Sequence, residues 1–269
     1  MALTRFGGPL SRKLPETRTF TVEGPAHSLL LEPFRRRVRA LVTDPADGAE
    51  VVVLDTVRGA LLHETGLGPQ LYLPAEDVRA DLLHPSDTST HCPFKGDASY
   101  QNLTVGHRTI PDAVWSYPDP KPDASWLAGL VALPMSAADR WLDEDEDVLG
   151  HLTDPYHRVD LRPTGREVTV TAPDGTVVAR TTSAVLLDET GLDVRFYLDR
   201  ADVHATLRPS GTTRVCPYKG VSTYWTVEAD GGDEVVDGAW SYEAPRDESR
   251  GIAGRICFSD DYAVSVASS

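Results

Sequence analysis

Short apolar runs rich in β-branched residues recur along the chain, and each is bounded by turn residues. This pattern predicts β-strands, because helices need longer runs with apolar residues three to four positions apart. After the fourth run, Pro74 followed by Glu76 and Asp77 resembles a helix start, and this predicts a helix of about two turns that ends before Pro85. The predicted strands in the first half cover residues 37–43, 50–54, 59–64, 70–73, 98–105, 113–117 and 127–133.

The same pattern occurs a second time, about 125 residues further on. Three motifs recur in the same order: Glu64-Thr65-Gly66 and Glu189-Thr190-Gly191, Cys92-Pro93-Phe94-Lys95-Gly96 and Cys216-Pro217-Tyr218-Lys219-Gly220, Trp115-Ser116-Tyr117 and Trp240-Ser241-Tyr242. A period of this length indicates a duplicated domain and not a solenoid of small units. The predicted strands of the second copy cover residues 167–171, 176–180, 184–188, 195–198, 214–216, 222–228, 235–242 and 253–258.

The fold class that follows is all-β, with two tandem small β-sheet domains and one short helix in each repeat. We expect an N-terminal arm over residues 1–34, a first β domain over 35–134 and a second over 166–269. Residues 135–165 are expected to form a linker with a short helix and a solvated acidic run at 143–147. The cluster Arg35, Arg36, Arg37 and Arg39 is interpreted as a solvated edge or an inter-domain contact.

Composition excludes several classes of protein. The formal net charge of −15 argues against nucleic-acid binding, which requires a basic surface. Three cysteines do not make a disulfide framework, and no apolar run has the length of a membrane helix. We therefore expect a cytoplasmic protein without nucleic-acid or membrane partners, either a monomeric pseudo-dimer or a homodimer.

Aromatic residues recur at matched positions of both copies. Because side chains alternate along a strand, Trp115 and Tyr117 share one face, as do Trp240 and Tyr242. Tyr100 and Tyr224 lie on the polar face of the preceding strand, where they can line a cleft. Two interpretations remain open: these rings fill the core, or they line a ligand pocket together with Lys95 and Lys219.

The cysteine motif carries the second candidate chemistry. A thiol becomes a nucleophile when a nearby cation lowers its pKa, and Lys95 and Lys219 stand three residues after Cys92 and Cys216. The alternative is that each cysteine is a small buried apolar residue. Glu64, matched by Glu189, is a candidate acid or base if it faces the cleft.

Two further catalytic arrangements lack support in the sequence. His91 precedes Cys92, but Val215 occupies that position in the second copy, so a shared dyad needs a base from elsewhere. No C-x-x-C pair or phosphate-binding loop is present, and we expect no metal and no cofactor.

The segments H-C-P-F-K-G-D-A-S-Y with A-V-W-S-Y-P-D-P, and V-C-P-Y-K-G-V-S-T-Y with A-W-S-Y, closely resemble the domain-of-unknown-function family 427. The resemblance covers about residues 37–134 and 158–259. It implies a small all-β domain of a tent-like, two-sheet kind and no settled activity. A nucleotidyltransferase-like label is sometimes attached to this family, but the chain has no Gly-Ser dipeptide, and D-x-D patterns occur only in the acidic run.

Three hypotheses about function follow. The leading one is a duplicated module that binds a small polar or anionic metabolite in an aromatic-lined cleft of each copy. The second is an enzyme on a small metabolite that uses a motif cysteine as nucleophile, or Glu64 as base. The third is a structural pseudo-dimer in which the motif only shapes a β-turn.

Overall fold

The computed structural model describes residues 27–229 and 234–267 and divides them into two compact units between His151 and Leu152. Strands and tight turns make up most of both units, which confirms the all-β class. Most of the predicted N-terminal arm, residues 1–26, lies outside the described residues, as do residues 230–233, between the strands predicted at 222–228 and 235–242.

The first unit contains two antiparallel sheets. Seven strands pair in the order β1-β4-β5-β9-β8-β7-β6, and four pair in the order β11-β10-β2-β3. The strands are β1 (Leu29–Pro33), β2 (Val38–Thr43), β3 (Glu50–Thr56), β4 (Ala60–Glu64), β5 (Gln70–Pro74), β6 (Leu83–Cys92), β7 (Gly96–Val105), β8 (Arg108–Ser116), β9 (Leu130–Ala132), β10 (Arg140–Asp143) and β11 (Glu146–Asp147).

The second unit repeats this plan. Its strands are β12 (Val159–Pro163), β13 (Val168–Thr171), β14 (Val177–Thr181), β15 (Val185–Glu189), β16 (Arg195–Tyr197), β17 (Thr206–Cys216), β18 (Gly220–Glu228), β19 (Glu234–Ser241), β20 (Cys257–Phe258) and β21 (Ala263–Val266). They form sheets in the orders β12-β15-β16, β14-β13-β21 and β17-β18-β19-β20. The β5–β9 pairing of the first unit persists here as the single bridge between Leu198 and Ile256.

The predicted short helix is present only as 3-10 turns, because the chain turns back into a strand sooner than expected. Strand β6 begins at Leu83, and Pro85 lies within it beside a shift in register. A proline, which lacks an N–H group, is tolerated in a strand at such an irregularity. The described 3-10 turns are Ala75–Asp77, Ala80–Leu82, Pro122–Leu127, Met135–Ala137, Arg200–Asp202 and Asp247–Ile252.

The segment expected to be a linker is largely part of the two units. Strands β10 and β11 pair in the sheet of β2, and β12 pairs with β15. Trp141 and Leu142 are buried, which anchors β10. Within the acidic run, Asp143 is 15% exposed and pairs with Arg36 at 3.1 Å, whereas Asp145 is 98% exposed and pairs with Arg39 at 2.8 Å.

Each cysteine motif forms the turn of a β-hairpin. Cys92 ends β6 and lies opposite Gly96, the first residue of β7, with Pro93, Phe94 and Lys95 in the loop. The Lys95 carbonyl accepts a hydrogen bond of 3.0 Å from the Lys121 amide. Cys216 and Gly220 are paired in the same way in the second unit. The motif therefore fixes the backbone of its lysine.

Replacing Gly96 or Gly220 with alanine is expected to destabilise the unit that carries it by about 1–3 kcal/mol. Their φ angles are +106° and +102°, and an added Cβ would lie 3.3 Å and 3.4 Å from the carbonyl oxygens of Asp119 and Ala244. Urea denaturation measures the loss. Gly165→Ala, where nothing lies within 4 Å of the added Cβ, is the control. Equal midpoints for all three variants would contradict the role of the turn.

Candidate functional site

The lysine of the first hairpin turn points into the protein. Lys95 is 3% exposed, and its ammonium forms an ion pair with Oε2 of Glu64, the last residue of β4. The ammonium also lies 6.0 Å from the centroid of the Tyr117 ring. A charge so deeply buried is stable only when it is paired, so Glu64 holds the ammonium in place.

A histidine completes this arrangement. The second oxygen of Glu64 is 2.9 Å from Nε2 of His27, which lies two residues before β1. Because Leu29 of β1 pairs with Glu64, the antiparallel register brings His27 to the end of β4. The imidazole stacks on the ring of Phe94, with centroids 3.7 Å apart and planes within 6°. The aromatic residue of the motif therefore holds the histidine.

The second unit has the same three groups. Lys219 pairs with Oε2 of Glu189, and Nε2 of His157 lies 3.0 Å from Oε1 of that carboxylate. His157 stacks on Tyr218 with centroids 3.9 Å apart. Burial raises the pKa of Glu189, but the hydrogen bond with His157 and the Lys219 ammonium outweigh it, so the pKa is below its ordinary value. We call each set the charge triad of its repeat.

A cavity of about 270 Å³ opens beside the first charge triad. Its wall combines the carboxylate and the ammonium of the triad with aromatic rings. We call it the first cavity; it is lined by Leu62, Glu64, Leu67, Gly68, Gln70, Tyr72, Thr90, His91, Cys92, Pro93, Lys95, Tyr100, Trp115 and Tyr117.

The second cavity lies at the matched place in the second unit and encloses about 220 Å³. It is lined by Leu187, Glu189, Leu192, Asp193, Arg195, Tyr197, Lys219, Tyr224, Trp240 and Tyr242. Eight of these ten positions correspond to residues of the same type in the first cavity. The duplication has therefore kept a cavity and its charge triad together.

The tyrosines of both cavities provide neutral hydroxyl groups. Trp115 donates an indole hydrogen bond of 3.3 Å to Tyr72, and Trp240 donates one of 3.1 Å to Tyr197. Burial raises the pKa of Tyr72, Tyr117, Tyr197 and Tyr242, so these phenols stay protonated.

The hydroxyl groups of Tyr117 and Tyr242 have no hydrogen-bond partner within the described chain, although both residues are less than 10% exposed. Since both tyrosines line cavities, each hydroxyl is available to a molecule bound there.

The three cysteines have different environments. Cys92 is half-buried and lines the first cavity, whereas Cys216 is half-buried and packs against the apolar cluster of the second unit. Cys257 is fully buried, and this burial raises the pKa of its thiol to about 12. All three are free thiols.

The structure brings the predicted site residues of each repeat together. Cys92, Lys95, Tyr100, Trp115, Tyr117 and Glu64 all line the first cavity, and Lys219, Tyr224, Trp240 and Tyr242 line the second. Cys216, the candidate nucleophile of the second repeat, does not line the second cavity. Glu64 has both oxygens engaged by His27 and Lys95, which lowers its availability as a base.

Sequence reasoning missed His27, His157, Tyr72 and Tyr197. The tyrosines recur at the offset of 125 and were passed over because they lie far from the cysteine motif. A signal for the histidines was present in the pattern Pro-x-His-x-x-x-Leu-x-Pro, which begins at Pro25 and again at Pro155. The two histidines are 130 residues apart, whereas the other matched residues are about 125 apart. Aligning the two copies at an offset of 125 therefore does not match His27 with His157.

The family model that matches the chain is described as a domain of unknown function, DUF427, and it matches residues 30–144 and 160–268. The two matches cover most of the chain, which therefore belongs to this family as two tandem copies. No curated protein matches the chain significantly. Both triad histidines lie three residues before the matched segments.

Within the described residues, no group of three or more His, Cys, Asp or Glu side chains is arranged to hold a metal ion. Within the same residues, no helix is long and apolar enough to cross a membrane.

The second charge triad predicts a loss of stability in acid. Because the pKa of Glu189 is lowered from 4.5 in the folded state, its ionised form stabilises the fold above about pH 4.5. This contribution is lost as the pH falls through the folded-state pKa. Denaturant unfolding between pH 7 and pH 3 is expected to show that Glu189→Gln is much less stable than the native protein at pH 7 and closer to it in acid. A difference independent of pH would contradict this.

Proposed function

We propose that each repeat binds one small polar or anionic molecule in its cavity. The observation that carries the proposal is the combination, in both repeats, of a buried ammonium, an unpartnered tyrosine hydroxyl and aromatic rings around a cavity. Ligand pockets are mostly apolar and contain a few placed polar groups, which matches this composition. The volumes of about 270 and 220 Å³ fit a metabolite smaller than a typical drug.

The charge triad gives the lysine a defined role in binding. An ammonium has three N–H donors, and the pairing with Glu64 uses one of them. The carboxylate and the stacked imidazole restrict the lysine to one position, so little side-chain entropy is lost when a ligand accepts a further hydrogen bond. Lys95 and Lys219 would contact a polar or negatively charged atom, and the tyrosine hydroxyls would contact a second one.

The state of the cysteines also bears on the cellular compartment of the protein. Three free thiols, two of them half-buried, suit a reducing compartment, and we infer a cytoplasmic protein.

Removing the hydroxyl groups tests the proposal. Tryptophan fluorescence and thermal unfolding are recorded with acetate, inorganic phosphate, glycine, glycerol and glucose. We expect at least one compound to raise the unfolding temperature, and Tyr117→Phe with Tyr242→Phe to weaken its binding about tenfold. Tyr262→Phe removes a buried phenol outside both cavities and is expected to leave binding unchanged. A flat response throughout would favour the structural pseudo-dimer.

A second candidate function is an enzyme that uses Cys92 as a nucleophile. The observation in its favour is that the Cys92 thiol lines the first cavity together with Lys95. A cation near a thiol favours the reactive thiolate. In this case the first repeat is the catalytic one, since Cys216 does not line the second cavity.

Thiol labelling tests this second function. Iodoacetamide at pH 7.5, followed by peptide mass spectrometry, is expected to modify Cys92 faster than Cys216. Cys257 should stay unmodified in the folded protein, because it is buried and its pKa is about 12. A compound that stabilises the protein in the previous experiment should slow the modification of Cys92 alone. Equal rates for Cys92 and Cys216, unaffected by that compound, would remove the nucleophile.

A further inference from the structure

The two cavities share their charge triad and rings but differ in the polar residues around them. Gly68, Gln70 and Thr90 in the first repeat correspond to Asp193, Arg195 and Arg214 in the second. The second repeat thus has charged residues where the first has uncharged ones. Gly68, Gln70 and Thr90 all line the first cavity, and of their counterparts Asp193 and Arg195 line the second.

Apart from the Tyr117 hydroxyl, several polar side chains of the first cavity have partners within the protein. Nε2 of Gln70 donates to the carbonyls of Leu71 and Leu133 at 3.1 and 3.2 Å. The hydroxyls of Thr90 and Tyr100 are 2.8 Å apart. His91, which also lines this cavity, lies 2.6 Å from Asp97. Beyond the paired charges of the triad, this wall offers no further cation from a lysine or arginine.

A row of alternating cations and rings runs from Arg195, Trp240 and Tyr224 in the wall of the second cavity to Arg214, which is exposed and packs on Tyr224 without lining the cavity itself. The Arg195 guanidinium carbon lies 5.6 Å from the centroid of Trp240, and Trp240 lies 6.0 Å from Tyr224. The Arg214 guanidinium carbon lies 4.9 Å from the centroid of Tyr224. Both rings are also more exposed than Trp115 and Tyr100. A guanidinium that rests on a ring keeps the N–H groups at its edge available.

Of the two guanidinium groups in this row, only Arg195 has a carboxylate partner among the described residues. It donates to both oxygens of Asp260, at 2.6 and 3.2 Å, and because the Asp260 side chain is 85% exposed, an anionic ligand would compete with it for Arg195. Asp193 also acts electrostatically on Arg195, and Glu189 is engaged by Lys219 and His157. Arg214 forms no ion pair within the described chain. Arg214 is thus the cation left for a ligand.

We propose that the two cavities differ in the charge of their ligand: the second binds an anion, a carboxylate or a phosphate, through Arg195 and Arg214, and the first binds an uncharged polar molecule. This inference rests on the proposed function. Guanidinium groups bind both kinds of oxyanion through paired hydrogen bonds, which is the shared chemistry of the two classes.

Fluorine NMR of the full chain labelled with 5-fluorotryptophan tests the proposal at each cavity separately. The chain has five tryptophans, and Trp115 and Trp240 report on the first and second cavity. Benzoate and benzamide have nearly the same shape and differ in charge; inorganic phosphate is the third probe. We expect benzoate to shift the Trp240 resonance at concentrations at least tenfold lower than benzamide does, and to leave Trp115 unchanged.

Variants that carry the residues of the first repeat separate charge from shape. Arg195→Gln with Arg214→Thr is expected to weaken benzoate binding at Trp240 at least tenfold and to change benzamide binding less than twofold. The reverse graft, Gln70→Arg with Thr90→Arg, is expected to create benzoate binding at Trp115. Trp225 in the second unit and Trp126 and Trp141 in the first lie outside both cavities, and their unchanged resonances show that the unit carrying each substitution is folded.

Two outcomes would overturn the proposal. In the first, benzoate binds both cavities equally, or the arginine variants bind benzoate as tightly as the native protein does. The proposed function then stands, but the proposal that the two cavities bind ligands of different charge is wrong. In the second, none of the three probes shifts Trp240, so the second cavity is not an anion site. The proposed function itself is decided by the compound panel and the tyrosine variants, which include uncharged compounds.

Discussion

The buried ion pair between a hairpin lysine and the carboxylate at the end of a strand is the constraint on which each repeat depends. Two charges removed from water are stable only in a fixed geometry with their remaining hydrogen bonds satisfied. In the first repeat, the turn that ends at Gly96 aims Lys95 inward, and β4 supplies Glu64. Strand β1 brings His27 to the other carboxylate oxygen. Three distant segments of chain therefore have to meet at one place.

The rings around each triad belong both to the core and to the cavity wall. In the first unit, Tyr72, Tyr100, Trp115 and Tyr117 are part of one apolar cluster, and the same four residues line the first cavity. The two interpretations of these aromatics, as core or as cleft, are therefore compatible. A molecule bound in the cavity would therefore pack against residues of the core. Its binding would stabilise the folded state, so that binding and stability are coupled.

The second repeat keeps the triad in a looser sheet and with a more charged wall. Its seven strands are divided by the single bridge at Leu198, where the first unit has a continuous β5–β9 pairing. Trp240 and Tyr224 are more exposed than Trp115 and Tyr100. The guanidinium groups of Arg195 and Arg214 lie beside these two rings.

The sequence by itself determined the duplication, the all-β class and several of the residues around each cavity, because repeated motifs and strand alternation are local properties of the chain. The motifs that contain Glu64, Cys92 and Trp115 include the predicted residues that line the first cavity, but not Tyr72. Tertiary structure decided the rest. His27 and Glu64 lie 37 residues apart in sequence and meet only through the pairing of β1 with β4. Likewise, Asp143 ends β10, which pairs with β2, and forms an ion pair with Arg36, a long-range contact that no local pattern encodes.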